Sequence, residues 1–205
     1  MEAVRTRLIE WAVAEVTRAG QTESGDRYLA TPTPDGALVA VVDGLGHGAE
    51  AADAAKVAVR SLERHAQQRV IPLVRDCHHS LFGTRGAVIS VASFTAHDQT
   101  MTWLGVGNVE GLLLRAQATN PRRESLLLRG GVVGVHLPAI AAELVPVTPG
   151  DTLILATDGV RSDFSNERLP QQDPPPKLAD YILARWGTQN DDALVLVVRY
   201  LGLAT

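Results

Sequence analysis

The sequence has little of several features that would indicate common classes of protein. It contains one cysteine, Cys77, in 205 residues, so no disulfide can form within the chain. No apolar run is long enough to span a membrane, and the first residues lack the apolar core of a signal peptide. The chain has no basic cluster, and its formal net charge is -4, which gives no support to nucleic-acid binding. These absences predict a cytoplasmic protein with no membrane and no nucleic-acid partner.

The composition that remains is that of a folded protein. Apolar residues make up 45% of the chain, which is enough for a packed core and too many for a disordered chain. A length of 205 residues suits one domain, and no internal repeat divides the sequence. We therefore expect a single domain over residues 1–205.

Short apolar segments dominate the chain and predict a fold rich in β-strands. Apolar residues at helical spacing predict helices over 49–68, 72–81 and 177–186. Apolar runs of strand length, bounded by turn residues, predict strands over 8–16, 26–31, 37–42, 87–95, 101–106, 109–114, 125–128, 144–147, 152–156 and 193–200. This order predicts an α+β fold with mostly antiparallel strands, in two sheets with helices outside them.

Acidic residues stand at the ends of several predicted strands. Two strands end in the pair Asp-Gly, within the motifs VVDGLGHG and LATDGV. Another acid opens an early strand, and two adjacent acids come directly before the last one. If antiparallel neighbours bring these strand ends together, four carboxylates would converge at one edge of a sheet. The positions concerned are Asp26, Asp43, Asp158 and one of the pair Asp191-Asp192.

Converging carboxylates favour a bound cation, because they repel one another and are costly to bury unpaired. Ligand sets made only of oxygen suit hard ions such as Mg²⁺ and Mn²⁺. The glycine after Asp43 would let the carbonyl of Gly44 approach an ion with no side chain in the way. Two ions roughly 3.5–4 Å apart, sharing Asp43, would activate a water and hold a phosphate for in-line attack.

Other interpretations of the same residues are simpler or compete directly. Any one of these aspartates alone would be a helix cap or a turn residue. The run Gly44-x-Gly46-x-x-Ala49 also matches the dinucleotide-binding fingerprint. That fold needs a second parallel strand soon after the helix, where this sequence still has a helical pattern, and Asp43 would repel a pyrophosphate. No GxxxxGK[ST] motif occurs, which excludes a P-loop. The recurrence of acids at strand ends therefore favours the metal site.

The acidic motifs, taken as a set, resemble a known family. ESGD at 23–26, VVDGLGHG at 41–48, LATDGV at 155–160 and NDDALVLVV at 190–198 resemble the metal-dependent PPM/PP2C protein serine/threonine phosphatases, in their bacterial SpoIIE-like branch. Within that branch, the short length and the motifs GTRGA, GVGNVEG and LRGGVVG look most like a feedback phosphatase of the stressosome. The resemblance covers nearly the whole chain. It implies an α-β-β-α sandwich of two mainly antiparallel sheets flanked by helices.

The resemblance also implies a centre with two Mn²⁺ or Mg²⁺ ions. Asp43 would bridge the two ions, and Asp26 would hold water on a metal. The first acid of the pair, Asp191, aligns with the family ligand, although a shift of one residue at the strand entry would exchange it with Asp192. The full implied set of ligands is Asp26, Asp43, the Gly44 carbonyl, Asp158 and Asp191.

Two positions depart from the pattern of the eukaryotic members. Those members carry an arginine that grips the substrate phosphate where this chain has Gln21, and a proposed general acid, histidine, where it has Leu45. His47 could instead protonate the leaving group, and the simpler alternative is a solvent-facing histidine at the start of a helix. Without the arginine, phosphate binding would depend more on the metals.

The activity that the resemblance implies is hydrolysis of phosphoserine or phosphothreonine. The implied substrates are phosphorylated STAS-domain scaffold proteins of a bacterial stressosome, whose dephosphorylation would reset the stress response. Two alternatives remain open at this point. One is a pseudophosphatase that binds the phosphoprotein without hydrolysis, and the other is a phosphatase that acts on an anti-sigma-factor antagonist.

Overall fold

The structure is a computed structural model and describes residues 8–117, 122–188 and 190–203. Within these residues the chain forms eleven β-strands, three α-helices and a short 3-10 helix, Ser162–Asn166. The helices are α1 (Ala49–Arg64), α2 (Val70–Ser80) and α3 (Pro175–Trp186). The strands are β1 (Ile9–Val16), β2 (Asp26–Thr33), β3 (Gly36–Gly44), β4 (Ala87–Thr95), β5 (Thr100–Val106), β6 (Glu110–Leu114), β7 (Arg123–Ser125), β8 (Leu128–Arg129), β9 (Glu143–Pro146), β10 (Thr152–Ala156) and β11 (Ala193–Tyr200).

The strands form two sheets that pack face to face. The first sheet has the order β1-β11-β10-β6-β7, and the second has the order β2-β3-β4-β5-β8, with β9 also paired to β5. Every pairing between these strands is antiparallel except the short contact between β5 and β8. Helix α3 packs on the outer face of the first sheet, and α1 and α2 pack on the outer face of the second. The predicted α-β-β-α sandwich is therefore confirmed.

Both faces of the central strands are buried, which explains their continuous apolar sequences. In β3, Val39 and Val41 join the core between the sheets. Leu38, Ala40 and Val42 point the other way and join the core under α1 and α2. Each side chain in this run therefore packs in one of the two apolar cores. For this reason the sequence of β3 does not alternate between apolar and polar residues as that of a half-exposed strand does.

The predicted strand over 125–128 is wrong, because this segment passes from one sheet to the other. β7 pairs with β6 in the first sheet, whereas β8 pairs with β5 in the second. Between them, Leu126 is 8% exposed and lies in the core between the sheets, where its N–H donates to the carbonyl of Gly111 at 2.8 Å. The apolar run that resembled one strand is the buried link between two short ones.

The ends of other elements differ by a few residues from the sequence expectations. The first helix ends at Arg64 rather than at residue 68, and β2 continues to Thr33, two residues beyond its predicted end. Pro32 is tolerated in β2 because β2 is an edge strand, where a missing N–H need not break a ladder bond. Among the helices of the described residues, none has the length and the apolarity needed to cross a membrane.

Candidate metal and active site

The acidic residues meet where the ends of the two sheets face each other. Asp26 and Asp43 stand opposite each other on β2 and β3 of the second sheet. Asp158 follows β10, and Asp191 precedes β11, its antiparallel neighbour in the first sheet. The expectation of a single sheet edge is therefore wrong, since β3 and β10 belong to different sheets. The face-to-face packing brings the four strand ends together.

A cavity of about 300 Å³ lies between these strand ends. Residues 45–47, 107–108 and Gly130 form part of its wall, and none of the described residues that line it is a lysine or an arginine. The cavity therefore presents a strongly acidic surface. Its aspartates are Asp26, Asp43, Asp158, Asp191 and Asp192.

Burial and mutual repulsion disfavour the charged form of these carboxyl groups. Burial, together with the charge of the neighbouring carboxylates, raises the pKa of Asp26 to about 7 and that of Asp43 to about 8. A hydrogen bond from Thr157 opposes this rise at Asp26. Burial, followed by the charge of Asp191, also raises the pKa of Asp158. A bound cation would reverse this cost, because it favours the ionised carboxylates.

The donor chemistry of the cavity fits hard divalent ions. The titratable side chains on its wall are carboxylates and one exposed histidine, His47, and carboxylate oxygen is the ligand that Mg²⁺ and Mn²⁺ prefer. In the described ranges, no three acidic, histidine or cysteine side chains already stand close enough together to enclose an ion.

Asp26 is held in place from the opposite sheet. The residue is 2% exposed, and its Oδ2 accepts a hydrogen bond from Thr157 Oγ1 at 2.7 Å. The same hydroxyl oxygen accepts the N–H of Leu194 at 2.9 Å. Thr157 therefore joins the start of β11 to the start of β2, and it fixes one oxygen of Asp26.

The adjacent acids Asp191 and Asp192 have different surroundings. Both oxygens of Asp192 accept backbone N–H groups, from Arg18 at 2.8 Å and from Gly25 at 2.7 Å, and the residue is 4% exposed. Asp191 is only half-buried, and its Oδ1 accepts the N–H of Asp192 at 2.9 Å. Asp192 thus ties the two sheets together, whereas Asp191 keeps the freer carboxylate at the cavity.

The glycines of the two Asp-Gly pairs make room for neighbouring backbone. A Cβ at Gly44 would stand 2.0 Å from the carbonyl oxygen of Ala51 in α1. A Cβ at Gly159 would stand 1.9 Å from the carbonyl oxygen of Asp192. Each glycine therefore has a packing reason that the sequence did not reveal, and the expected contact of the Gly44 carbonyl with an ion stays a prediction.

Asn108 is a site residue that sequence reasoning missed. Its Nδ2 donates to Asp158 Oδ2 at 2.7 Å, and the residue lines both the main cavity and a neighbouring one that includes Glu110 and Arg161. In the sequence, the pair Gly107-Asn108 predicts a turn, with a role near the substrate as the less favoured interpretation. Such a pattern fixes the backbone but does not indicate where the asparagine side chain points.

Sequence and fold both resemble those of known proteins. Residues 33–201 match the Stage II sporulation protein E (SpoIIE) family. The chain is 26% identical over 186 residues to the phosphoserine phosphatase RsbX of Bacillus subtilis (strain 168), an alignment that covers 90% of this chain and 91% of RsbX.

Solved structures add a likeness in fold. A structure from a study of the bacterial stressosome as a modular system adapted to control secondary messenger signaling has a TM-score of 0.84 at 26% identity, covering 93% of this chain and 99% of the other. RsbX in complex with magnesium has a TM-score of 0.81 at 20% identity, with 94% and 95% covered. The fold is thus PP2C-like, and these similarities support a serine phosphatase.

Proposed function

Because this chain belongs to the Stage II sporulation protein E (SpoIIE) family, we propose that it is a metal-dependent protein phosphatase acting on phosphoserine or phosphothreonine. The observation that carries the proposal is the set of five aspartates around one cavity at the facing ends of two sheets. The similarity to a protein named phosphoserine phosphatase over 90% of this chain supports the same reaction. We propose that residues 1–205 form one phosphatase domain.

The proposed cofactor is a pair of Mn²⁺ or Mg²⁺ ions. Asp43 would bridge the pair, the Gly44 carbonyl would contact one ion, and Asp158 and Asp191 would contact the other. Asp26 would hold a metal-bound water or make a weaker contact with an ion, because one of its oxygens already accepts a hydrogen bond from Thr157. When bound, such ions supply an activated water and a clamp for the phosphate. The magnesium complex of RsbX supports a divalent ion in a related fold.

Other residues of the chain would position these ligands and serve the leaving group. Asn108 would orient Asp158 through its hydrogen bond, and Asp192 would hold the two sheets at a fixed separation. His47 lies exposed on the cavity wall, where it could donate a proton to the departing serine oxygen. If the His47→Ala variant has an unchanged rate and pH profile, His47 does not donate this proton.

The proposed substrates are phosphorylated STAS-domain scaffold proteins of a bacterial stressosome, whose dephosphorylation would reset the stress response. The similarity to a structure from a study of the stressosome, at 26% identity, supports this choice. The proposal includes a cytoplasmic location, which the single cysteine supports.

The direct test measures phosphate release from a phosphorylated STAS-domain scaffold protein, with Mn²⁺, with Mg²⁺ and with EDTA. The proteins compared are the wild type, Asp43→Asn and the control Asp98→Asn. Asp98 is an exposed residue that follows the C-terminal end of β4. The other end of β4 is the one that pairs with Gly44 at the cavity, so Asp98 lies away from the proposed site. We expect metal-dependent release by the wild type and the control, and loss of release in Asp43→Asn.

Three other outcomes have distinct meanings. No release with any metal, while the phosphoprotein still binds, would favour the pseudophosphatase. Release only from a phosphorylated anti-sigma-factor antagonist would keep the reaction and replace the substrate. Release that is insensitive to EDTA and to Asp43→Asn would overturn the metal centre.

A further inference from the structure

Apart from the proposed ions, the described wall of the acidic cavity offers no side chain of fixed positive charge to hold the phosphate that it is proposed to act on. A phosphomonoester carries about two negative charges at neutral pH. The cavity wall contributes five aspartates and, among the described residues, no lysine or arginine. By the resemblance, Gln21 stands where the eukaryotic members carry their phosphate-gripping arginine. It does lie beside the loop after β3, since a Cβ at Gly48 would be 2.9 Å from its Oε1, but it brings no charge.

Arg85 reaches the same loop from the other side. A Cβ at Gly46 would stand 2.6 Å from Arg85 Nη1, so the guanidinium lies directly against the backbone of a residue that lines the cavity. Gly46 has φ +95°, a conformation that favours glycine, and its missing side chain leaves this space to the arginine. The cation is therefore at the rim of the cavity without being part of its wall.

The backbone fixes Arg85 at this place. Ala87, two residues later, pairs with Gly44 at the end of β3. The N–H of Leu45 donates to the carbonyl of Gly86 at 3.0 Å, and the N–H of Gly86 donates to Thr84 Oγ1 at 3.0 Å. Arg85 is thus anchored to the strand end that carries Asp43.

The side chain of Arg85 is also oriented towards the rim. Its Nε donates to Glu50 Oε2 in the first turn of α1, at 2.5 Å, and the arginine side chain is 50% exposed. Within the described residues, Nη1 and Nη2 have no protein acceptor. An exposed ion pair of this kind contributes little stability. The two free terminal nitrogens are the pair that binds a phosphate in a bidentate manner.

Nearby cations are less suited to this task. Arg27 is engaged by Glu23 and by backbone carbonyls, and Lys56 is engaged by Glu23 and Asp53. Arg129 is exposed and precedes Gly130 of the cavity wall, but no contact among the described residues fixes its guanidinium there. Arg85 is the cation that the structure holds against the loop between the cavity and α1.

We propose that Arg85, in the segment just before β4, binds the phosphate group of the phosphoprotein substrate. It thereby supplies the positive charge that Gln21 does not. The inference rests on the proposed function. It assigns the substrate phosphate a place between the acidic cavity and the loop 45–47, with the guanidinium donating to the phosphate oxygens that face away from the acids.

The test compares Arg85→Ala, Arg85→Lys and the control Arg60→Ala, which removes an exposed arginine from α1. The first measurement is binding of inorganic phosphate to each protein in the presence of Mg²⁺, by calorimetry, which requires no turnover. The second is the steady-state hydrolysis of p-nitrophenyl phosphate, with inorganic phosphate as competitor. Thermal unfolding of each variant reports any structural role.

For Arg85→Ala we expect the Kd and inhibition constant for phosphate, and the KM, to rise about tenfold, with kcat changed less than about twofold. Arg85→Lys should lie between the alanine variant and the wild type, because lysine binds phosphate as a point charge. The control should match the wild type, and added salt should weaken phosphate binding more in the wild type than in Arg85→Ala.

Two results would overturn the inference. One is an unchanged phosphate Kd in Arg85→Ala. The other is a lower unfolding temperature in Arg85→Ala with no effect on phosphate, which would make Arg85 a structural partner of Glu50. If the wild type binds phosphate but hydrolyses nothing, the proposed function fails, and the phosphate Kd still decides the role of Arg85.

Discussion

Asp191 and Asp192 are neighbours in sequence, yet their carboxylates have different tasks in the structure. Both carboxylate oxygens of Asp192 accept hydrogen bonds from backbone N–H groups that lie far away in the sequence. Asp191 is half-buried at the cavity. The two residues therefore form a matched pair, because the same change of aspartate to asparagine should affect binding of metal at one position and stability at the other.

For Asp192→Asn we expect a loss of about 1.5–3 kcal/mol in the free energy of unfolding, since one carboxylate oxygen is replaced by an amide donor that faces an N–H group. For Asp191→Asn we expect near-normal stability and a loss of Mn²⁺ affinity of at least about tenfold. Urea denaturation and calorimetric titration with Mn²⁺ would measure the two effects. The opposite pattern would mean that the metal ligand is Asp192 rather than the proposed Asp191.

Thr157 offers a second test at the scale of one residue. Its hydroxyl group donates to Asp26 and accepts from Leu194, and the residue is 1% exposed. Thr157→Val keeps the shape but leaves two buried groups without their partner, so we expect a loss of about 1–3 kcal/mol in the free energy of unfolding. Thr157→Ser keeps the hydroxyl and should lose less. Equal losses in the two variants, measured by urea denaturation, would show that the hydroxyl contacts do not matter.

Sequence reasoning expected the acids to come together, although at one sheet edge rather than between two sheets, and it missed the side chains beside them. The acids are recognisable because they recur at strand ends in the same motifs. Asn108 lies in Gly107-Asn108, which predicts a turn, and a turn pattern carries no information on which distant residue a side chain will reach. Arg85 lies in GTRGA, which contributed only to the family resemblance. Their contacts depend on the packing of the two sheets and α1, which no local pattern encodes.

At the scale of elements, the approach of α1 to β3 depends on the absence of a side chain at Gly44. The carbonyl of Ala51 occupies the space that a Cβ would need. For Gly44→Ala we expect a loss of about 3 kcal/mol or more in the free energy of unfolding, because two backbone segments must separate. The loop of residues 45–48 would be displaced with them, and activity should fall as well.

The control for this change is Gly130→Ala, which also adds a methyl group beside the cavity. A Cβ at Gly130 would meet no atom within 4 Å. Its effect on the free energy of unfolding should therefore stay within about 0.5 kcal/mol. Equal effects of the two substitutions, measured by urea denaturation, would contradict the close approach of α1 to β3.

Element types were predictable where a segment has one clear pattern, and boundaries were not. The apolar runs of β3, β4, β10 and β11 predicted their strands to within a few residues, because both faces of each are buried. The segment from β7 to β8 was mistaken for one strand, since a buried crossing between two sheets is as apolar as a strand. The apolar pattern of a strand also does not indicate which other strands share its sheet. For this reason the acids were wrongly expected at one edge of a single sheet.

At the scale of the whole molecule, the acidic cavity should make the stability of the metal-free protein depend on pH. The pKa values of Asp26 and Asp43 in the folded protein, about 7 and about 8, lie above the ordinary value of 3.8. A raised pKa means that the folded state holds its protons longer than the unfolded chain. The stability that these groups contribute is complete below about pH 4 and is lost as the pH rises to about 8.

We therefore expect the free energy of unfolding in EDTA to be lower at about pH 8 than at about pH 5.5, by at most about 1.4 kcal/mol per pH unit for each group. Mn²⁺ should remove most of this loss, because an ion bound only by the folded state favours ionised carboxylates. Urea denaturation at both pH values, with EDTA and with Mn²⁺, would measure it. A metal-free protein that is more stable at the higher pH would contradict this account of the cavity.

The central claim is that the facing ends of the two sheets hold a pair of divalent ions. The most direct measurement is an anomalous difference map from crystals of the protein grown with Mn²⁺. The account predicts two peaks in the cavity, roughly 3.5–4 Å apart, with the carboxylate of Asp43 between them. A single peak, or peaks only outside the cavity, in crystals of protein that releases phosphate with Mn²⁺ would contradict it.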